Sequence, residues 1–327
     1  MAATKLSDII VPEVYNPYAL GRTIELNKFI ASGIATKDPD LRFPDMTRQV
    51  KGGKTIHIPF WKSFIDADNA DDEIYTDTDD YDINNIEAGE SIAAVLTRTK
   101  IWGSHDLVRF FSGSDPMLGV AEMDGAYWAN REQHVLLSVL AGITDKTAGA
   151  IKDHVLDISG ETGAVAVLSN GAMIDAMYKM GDHVSQLGGI ACNSAVMSQL
   201  TKLNLIDTVR AADSPIEYKF YMGKPVIVDD AIQGAGGAHP IYFFGQGAIA
   251  YNEDTEGIEN TELDRDKIHG TDILITRRVF TMHPRGLKWV GTPVKTTASN
   301  TELATAANWE LADNIKNIPI TKLIAKV

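Results

Sequence analysis

The most extended hydrophobic pattern in the chain is helical and covers residues 116–141. Apolar side chains recur along it at three- and four-residue spacing: Met117, Val120, Ala121, Trp128, Val135, Leu136, Val139 and Leu140. Asp115 is a suitable N-cap, Pro116 suits the first helical position, and Gly142 is a typical end signal. The pattern predicts one helix of roughly 26 residues, about 39 Å long at 1.5 Å per residue, which is long for a globular domain.

A second pattern, ahead of the helix, is that of two strands separated by a polar segment. Residues 54–64 and 90–103 are rich in β-branched and aromatic side chains, and the second run partly alternates. Between them, residues 66–82 are strongly acidic and contain no basic residue. We expect residues 54–103 to form a long hairpin with a polar tip. A two-stranded hairpin cannot bury both faces by itself, so it must lie on another part of the protein or on another copy.

Residues 150–250 alternate between strand and helix patterns and predict a compact α/β unit. An apolar run at 164–168 predicts a strand, after which Ser169 is expected to cap a helix. A second helix is expected to begin at Asn193 or Ser194. Further strand patterns follow at 217–222, 225–228, 241–244, 273–276 and 318–324. Together these patterns place the chain in the α+β class.

Composition narrows the classes of function. The 327 residues are 44% hydrophobic and 23% charged, with a net charge of −14, so the chain lacks the basic surface that binds nucleic acid or anionic membranes. The single cysteine, Cys192, excludes an internal disulfide and fits a reducing compartment. We expect neither a secretory signal at the N-terminus nor a transmembrane segment, which needs about 18 consecutive apolar residues.

The tripeptide Gly53-Lys54-Thr55 resembles the end of a phosphate-binding loop. Such a loop requires a glycine five positions before Gly53, where this chain has Arg48, and it should open a helix. The residues that follow, TIHIPFW, predict a strand instead, and Pro59 disfavours a helix interior. We therefore interpret Gly52-Gly53 as a turn and expect no nucleotide cofactor.

Metal binding has two weak candidates. In the acidic run 66–82, an EF-hand loop would need Asp or Asn at position 70, Gly at 71 and Glu at 77, but the chain has Ala70, Asp71 and Asp77. Weak calcium binding therefore stays open beside a solvated acidic loop. The histidines of the central helix region, His105 and His134, have no His or Cys partner at ligand spacing, so we predict no metal site there.

An acidic metal-dependent hydrolase is the remaining enzymatic hypothesis, and it would use Asp229, Asp230 and a histidine such as His283. Neighbouring residues on a strand point to opposite faces, so the two aspartates are poorly placed to share one acid–base task, and a turn is favoured. The adjacent Arg277 and Arg278 are expected to pair with carboxylates rather than phosphates in so acidic a chain. We predict no catalytic residue.

The order of several segments along the chain carries a family resemblance. They are "LSDIIVPEVYNPYALGRTIELNKFIASGIA", "GGKTIHIPFW", "DPMLGVAEMDGAYWANREQHVLLSVLAG", "GKPVIVDD", "DILITRRVFTMHPRGLKW" and "NWELADNIKNIPITKLI". In this succession the chain resembles the major capsid proteins of tailed bacteriophages and their prophages, which have the Hong Kong 97 type shell fold.

The resemblance implies a division of the chain into parts of that fold. They are an N-terminal arm at 1–50, an extended hairpin or E-loop at 51–103, a peripheral domain at 104–149 containing a spine helix at 116–141, an axial domain at 150–250, and a return to the peripheral domain with a C-terminal segment at 251–327.

The resemblance also implies a function. Copies of the chain would assemble into pentamers and hexamers of an icosahedral head that encloses DNA without binding it specifically. Scaffolding and portal proteins would be partners, assembly would take place in the bacterial cytoplasm, and no membrane or cofactor would be involved. Trp61, Phe64, Arg98 and Trp102 are the expected subunit contacts, as aromatic anchors often are. Lys62 lies on the hairpin, but no motif assigns it to the covalent crosslink that some relatives form.

An encapsulin-type bacterial compartment remains an alternative, because it shares the architecture and differs in enclosing a cargo enzyme. The hydrolase is the more remote alternative.

Overall fold

The computed structural model describes residues 28–38, 54–62, 87–112, 116–210, 217–254 and 260–327. These residues form a mixed structure of two larger sheets, two small two-stranded sheets and one long helix. Phe64, the acidic run 66–82, the helix cap Asp115 and most of the predicted arm lie outside the described residues.

The α-helices are α1 (Lys28–Ala31), α2 (Asp106–Ser112), α3 (Pro116–Ile143), α4 (Asn170–Met177), α5 (Ser194–Lys202) and α6 (Asn300–Leu303). The long predicted helix is α3, whose 28 residues begin at the predicted proline. It continues past Gly142, where a Cβ atom would lie 2.3 Å from the Leu303 carbonyl oxygen of α6. This glycine therefore allows two helices to approach closely rather than ending one. The Ser169 and Asn193 side chains cap α4 and α5 as predicted.

The strands are β1 (Ala35–Lys37), β2 (Thr55–Trp61), β3 (Ala88–Ala94), β4 (Leu96–His105), β5 (Val155–Asp157), β6 (Leu187–Cys192), β7 (Asp207–Arg210), β8 (Glu217–Tyr221), β9 (Lys224–Val228), β10 (Ala238–Gly245), β11 (Ile249–Asp254), β12 (Thr261–Asp266), β13 (Thr271–Pro284), β14 (Leu287–Trp289), β15 (Trp309–Leu311) and β16 (Ile320–Lys326).

The five-stranded sheet is organised around β13. On one side β13 pairs antiparallel with β4, and on the other side it pairs first with β12 and then with β11, which pairs parallel with β1. Helix α3 contacts this sheet, where the Trp128 indole nitrogen donates to the Thr276 hydroxyl at 3.3 Å. The sheet and α3 thus form one unit from residues far apart in the sequence.

The predicted strand at 90–103 is two strands with different partners. The first, β3, pairs antiparallel with β2, from Thr55 opposite Ala94 to Trp61 opposite Ala88. After Val95 the chain enters β4 and leaves the hairpin for the five-stranded sheet. The described hairpin strands therefore end at Ala94, short of the boundary at 103. The β-branched pattern runs through both strands and does not reveal that the pairing partner changes.

The seven-stranded sheet has the order β5-β16-β10-β6-β9-β8-β7. Its strand β16, from residues 320–326, lies between β5 and β10, so the unit predicted at 150–250 is completed by a segment from much later in the chain. The strand predicted at 164–168 is wrong, because Gly163–Ala166 form a 3-10 helix in which Val165 is exposed. A short apolar run does not distinguish strand from helix by itself.

Two hydrophobic cores hold these layers together. The larger one joins the C-terminal half of α3 to both sheets, and its members include Val135, Leu136, Val139, Leu140, Ile143, Phe244, Ile249, Phe280, Trp289 and Trp309. The second lies between α4, α5 and the seven-stranded sheet, with Met173, Met177, Met197 and Phe243 among its members. The methionines of α4 and α5 are therefore core residues, as predicted. Among the residues that the structure describes, no helix combines the length and apolar character required to cross a bilayer.

Candidate subunit-contact surfaces

The hairpin presents Trp61 at the outer end of β2. The Trp61 side chain is 72% exposed, although it lies beside a regular pair of strands. The neighbouring Lys62 bonds to the Glu87 carboxylate across the hairpin at 2.7 Å, and this bond lowers the pKa of Glu87. Beneath it, the Phe60 ring covers Gly89 so closely that a Cβ atom there would lie 2.6 Å from the ring. Cross-strand contacts therefore order the segment that carries the exposed indole.

The base of the hairpin is fastened to the body of the protein. Ile56 and Ala93 pack against Ala250 of β11 in a small buried cluster. The Ser91 hydroxyl lies 2.8 Å from the His283 Nε2 atom and 2.7 Å from the Leu287 carbonyl oxygen. These contacts of Ile56, Ser91 and Ala93, which we call the root of the hairpin, fix its base to the rest of the protein.

His283 has a structural environment, not that of a general base. Its Nε2 atom lies 2.9 Å from the Leu287 carbonyl oxygen, which can only accept, so Nε2 carries the proton. The Nδ1 atom is buried without a hydrogen-bond partner, and the ring stacks on Trp309 at 6.2 Å. Burial lowers the pKa of His283 to about 4, so the ring is neutral at physiological pH.

The two candidate hydrolase carboxylates are engaged in turn and cap interactions. One Asp229 oxygen accepts from the Ala231 amide at 3.0 Å, and one Asp230 oxygen accepts from the Ser194 amide at 2.8 Å. The hydrogen bonds from Ser194 lower the pKa of Asp230. Neither of these bonds joins an aspartate to His283, so the turn interpretation is supported. Within the described ranges, no group of three or more His, Cys, Asp and Glu side chains could hold a metal ion.

The adjacent arginines pair with carboxylates, which confirms the interpretation made from the sequence. Arg277 lies 2.6 Å from Glu262 at the surface, whereas Arg278 lies 2.7 Å from Glu253 in the interior. The Tyr251 hydroxyl donates to the second Glu253 oxygen at 2.9 Å, and burial raises the pKa of Tyr251. The inner pair is therefore a buried and hydrogen-bonded salt bridge below α3.

Arg98 and Trp102 lie on β4, in the five-stranded sheet and not on the hairpin. The Arg98 guanidinium donates to the Ala298 carbonyl at 2.7 Å and to the Thr297 hydroxyl at 3.2 Å, and burial lowers its pKa. The half-buried Trp102 ring meets Tyr127 of α3 edge to face, with ring centres 5.5 Å apart. Both side chains thus make contacts within one chain. Among the three predicted contact residues that the structure describes, Trp61 alone is mostly exposed.

The short helix α2 carries an apolar surface that was not predicted from the sequence. Leu107, Val108, Phe110 and Phe111 are all more than half exposed. We call these four residues the α2 patch. The signal was present in the letters "DLVRFFS", between the strand pattern and the long helix pattern, but seven residues are too few to show a helical period.

Comparisons with known proteins place the chain in a family. Residues 121–319 match the model of the Gp13-like family, described as "Major capsid protein 13-like". The chain is 38% identical over 328 aligned residues to the major capsid protein of Bacillus phage SPP1, and the match covers 98% of each protein. Identity at this level over nearly the whole chain shows a shared family, and it does not support the hydrolase hypothesis.

Solved structures support the fold. A chain of Mycobacterium phage Che8 matches with a TM-score of 0.52 at 10% identity and 89% coverage of both chains. A chain described as "Capsid of empty GTA particle computed with C5 symmetry" matches with a TM-score of 0.52 at 10% identity, covering 92% of this chain and 90% of that one. The expected Hong Kong 97 type fold is therefore confirmed. Together, the fold and the close relative show that this chain belongs to the major capsid protein 13-like family of phage head proteins.

Proposed function

We propose that copies of this chain close into the pentamers and hexamers of an icosahedral head, and that each hairpin reaches onto a neighbouring copy. The observation that carries this proposal is the exposed indole of Trp61 on an ordered hairpin with a fixed root. Tryptophan is enriched among residues that dominate binding energy, and such residues contribute about 2 kcal/mol or more each. Repetition of a modest contact around closed rings gives a strong container.

The charge of the chain supports an enclosing role without specific DNA recognition. A net charge of −14 repels the phosphate backbone, so packaged DNA would not adhere to the shell through this chain. Tight binding of duplex DNA by purified subunits at physiological salt would contradict this part of the proposal.

The protein acts as a structural component of the virion and not as an enzyme. Of the three residues of the hydrolase hypothesis, Asp229 stabilises a turn and Asp230 caps a helix. His283 makes a buried hydrogen bond to the Leu287 carbonyl oxygen. We extend the proposal to assembly in the bacterial cytoplasm with scaffolding and portal proteins.

An encapsulin-type shell is disfavoured by the 38% identity to a phage major capsid protein. Imaging of the contents of purified particles, as nucleic acid or as protein, tests the choice.

The hairpin contact is tested by the Trp61→Ala variant. Because the indole is exposed in the isolated chain, the variant subunit should keep its thermal stability but form far fewer closed particles, counted by negative-stain imaging and sedimentation. Tyr178→Ala is the matched control, since Tyr178 is an aromatic residue of similar exposure on the α/β unit. Normal particle yield from Trp61→Ala, or an equal loss in both variants, would remove the special role of the hairpin.

A further inference from the structure

The α2 patch consists of apolar side chains on a surface helix that are exposed to solvent. A surface helix normally turns such a stripe towards the core. In α2, positions 107, 110 and 111 have the spacing of one helix face, yet Phe110 is 78% exposed and Phe111 is 80% exposed. The two rings meet each other edge to face at 5.4 Å. Packing against the described residues of this chain therefore does not account for these side chains.

Polar bonds hold α2 in place instead. The Asp106 amide donates to the Gly270 carbonyl at 3.0 Å. Arg265 bridges two carboxylates, with Asp106 at 2.6 Å and Asp272 at 2.5 Å. The Leu107 amide donates to His105 Nδ1 at 3.2 Å. The helix is thus fixed to β12 and to the turn between β12 and β13 at its polar end, while its apolar side chains stay available.

The exposed area is large enough for a protein contact. Two phenylalanines that bury about 150–250 Å² each when covered contribute about 300 Å² at this exposure. Leu107 and Val108, which are both slightly more than half exposed, extend the surface. The total, about 500 Å², is near the upper range for the largest apolar patch of a monomer and over half of the roughly 800 Å² per partner of a standard interface.

Charge selects the kind of partner. The charged residues of α2, β12, the turn and the start of β13 are mainly acidic: Asp106, Glu262, Asp264, Asp266 and Asp272 against Arg109, Arg265 and Lys267. This rim disfavours nucleic acid and anionic lipid. Since Arg265 is already bonded to two carboxylates of the same chain, an apolar partner could cover the patch without leaving that arginine unpaired.

We propose that the α2 patch is a contact between copies, in which α2 of one chain packs against a second copy of this chain in the shell. The family builds its heads from copies of one protein, so a second copy is the partner present at the highest local concentration. The contact rests on the proposed shell function, but it is separate from the hairpin contact of Trp61. Covering the two rings would remove this apolar area from water on assembly.

Site-directed labelling tests this contact. Cys192 is buried, and burial raises the pKa of its thiol to about 12, so a cysteine introduced elsewhere reacts selectively with maleimide. In the Phe111→Cys variant, the thiol should label freely in unassembled subunits and at least about tenfold more slowly in shells, because a covered thiol reacts only when the contact opens. Val294→Cys, at a position 91% exposed, is the control for access of the reagent to the shell.

The partner is identified by crosslinking. A short photoreactive maleimide is attached to unassembled Phe111→Cys subunits, which then form shells of mixed ¹⁴N and ¹⁵N subunits. Illumination should join peptides of two copies of this chain, as detected by mass spectrometry. Unchanged labelling in shells, equal slowing at the control position, or crosslinks only to another protein or to DNA would overturn the proposal.

A folding defect is separated from a contact defect by a second variant. Phe110→Ser/Phe111→Ser should leave the melting temperature of the subunit unchanged, since both rings are mostly exposed, but should reduce shell yield or shell stability. Unaltered shells from this variant would overturn the α2 contact. If the unsubstituted chain forms no shell even when it is produced together with its scaffolding protein, the proposed function fails; if shells form while position 111 stays reactive, only this inference fails.

Discussion

The seven-stranded and the five-stranded sheets differ in how completely one chain covers their apolar side chains. In the first, every residue from Ile241 to Gly245 of β10 is buried between helices and neighbouring strands. In the second, the central strand β13 is likewise buried from Arg278 to Pro284, but the edge strand β4 is fully buried only at Leu96, and the segments attached to β4 carry Trp61 and the α2 patch into solvent. The contrast therefore lies in the attached segments: β10 is covered within one chain, whereas the hairpin and α2 leave apolar side chains exposed for the proposed contacts with other copies.

The largest expected effect comes from the interior of the seven-stranded sheet. Phe243 of β10 is completely buried in the second core, and Phe243→Ala would leave a cavity there. We expect the free energy of unfolding of the isolated subunit to fall by about 3–5 kcal/mol, measured by urea denaturation. The Trp61→Ala subunit is the matched comparison and should unfold at nearly the parent urea concentration. Equal losses in both variants would contradict the contrast between the two sheets.

The adjacent arginines allow a buried salt bridge of the five-stranded sheet to be compared with a salt bridge at its surface. Arg278→Ala would leave Glu253 buried without its cation and should destabilise the subunit by about 3–5 kcal/mol. Arg277→Ala removes the partly exposed pair with Glu262 and should cost about 1 kcal/mol or less. Thermal unfolding of the two single variants provides the comparison. Similar melting temperatures for both would mean that the buried pair contributes nothing beyond a surface pair.

A smaller effect is expected from pH at the root of the hairpin. The pKa of His283 is about 4 in the folded protein and 6.5 without the protein environment, so the unfolded chain binds the extra proton between these values. Stability is then retained above pH 6.5 and lost as pH falls towards 4, by about 3 kcal/mol in total from this group.

The His283→Gln variant isolates this contribution. It should be less stable than the parent at pH 7.5, but its stability should fall less steeply between pH 6.5 and 4, as measured by urea denaturation at several pH values. The difference between the two curves removes the contribution of carboxylates common to both proteins. Parallel curves would show that His283 does not titrate differently on folding.

Local signals in the sequence predict the local structure of this protein well. The long helix α3 shows its period over seven turns, and Ser169 and Asn193 cap their helices by bonds to residues three positions away. The first hairpin strand and the α/β unit are also evident from local composition. These features depend on residues that are close along the chain, so one sequence contains the necessary information.

Features that depend on distant pairing were not predicted. The passage from β3 to β4 changes partner from β2 to β13 within one run that is rich in β-branched residues. The α2 patch lies in a helix too short to show a period, and its exposure follows from polar bonds to residues 265–272. The contacts of Arg98 and Trp102 within the chain were not predicted either, because their partners at 127 and 297–300 lie far away in the sequence; their role between subunits stays a prediction.

The position of β16 between β5 and β10 has a consequence for biosynthesis. A ribosome releases β13, and with it every strand of the five-stranded sheet, before it releases β16. Until then β5 has no neighbour in the seven-stranded sheet and β10 has a vacant edge. During synthesis the chain can therefore complete the five-stranded sheet before the seven-stranded sheet. A subunit is ready for assembly only after β16 has been released and has closed the second sheet.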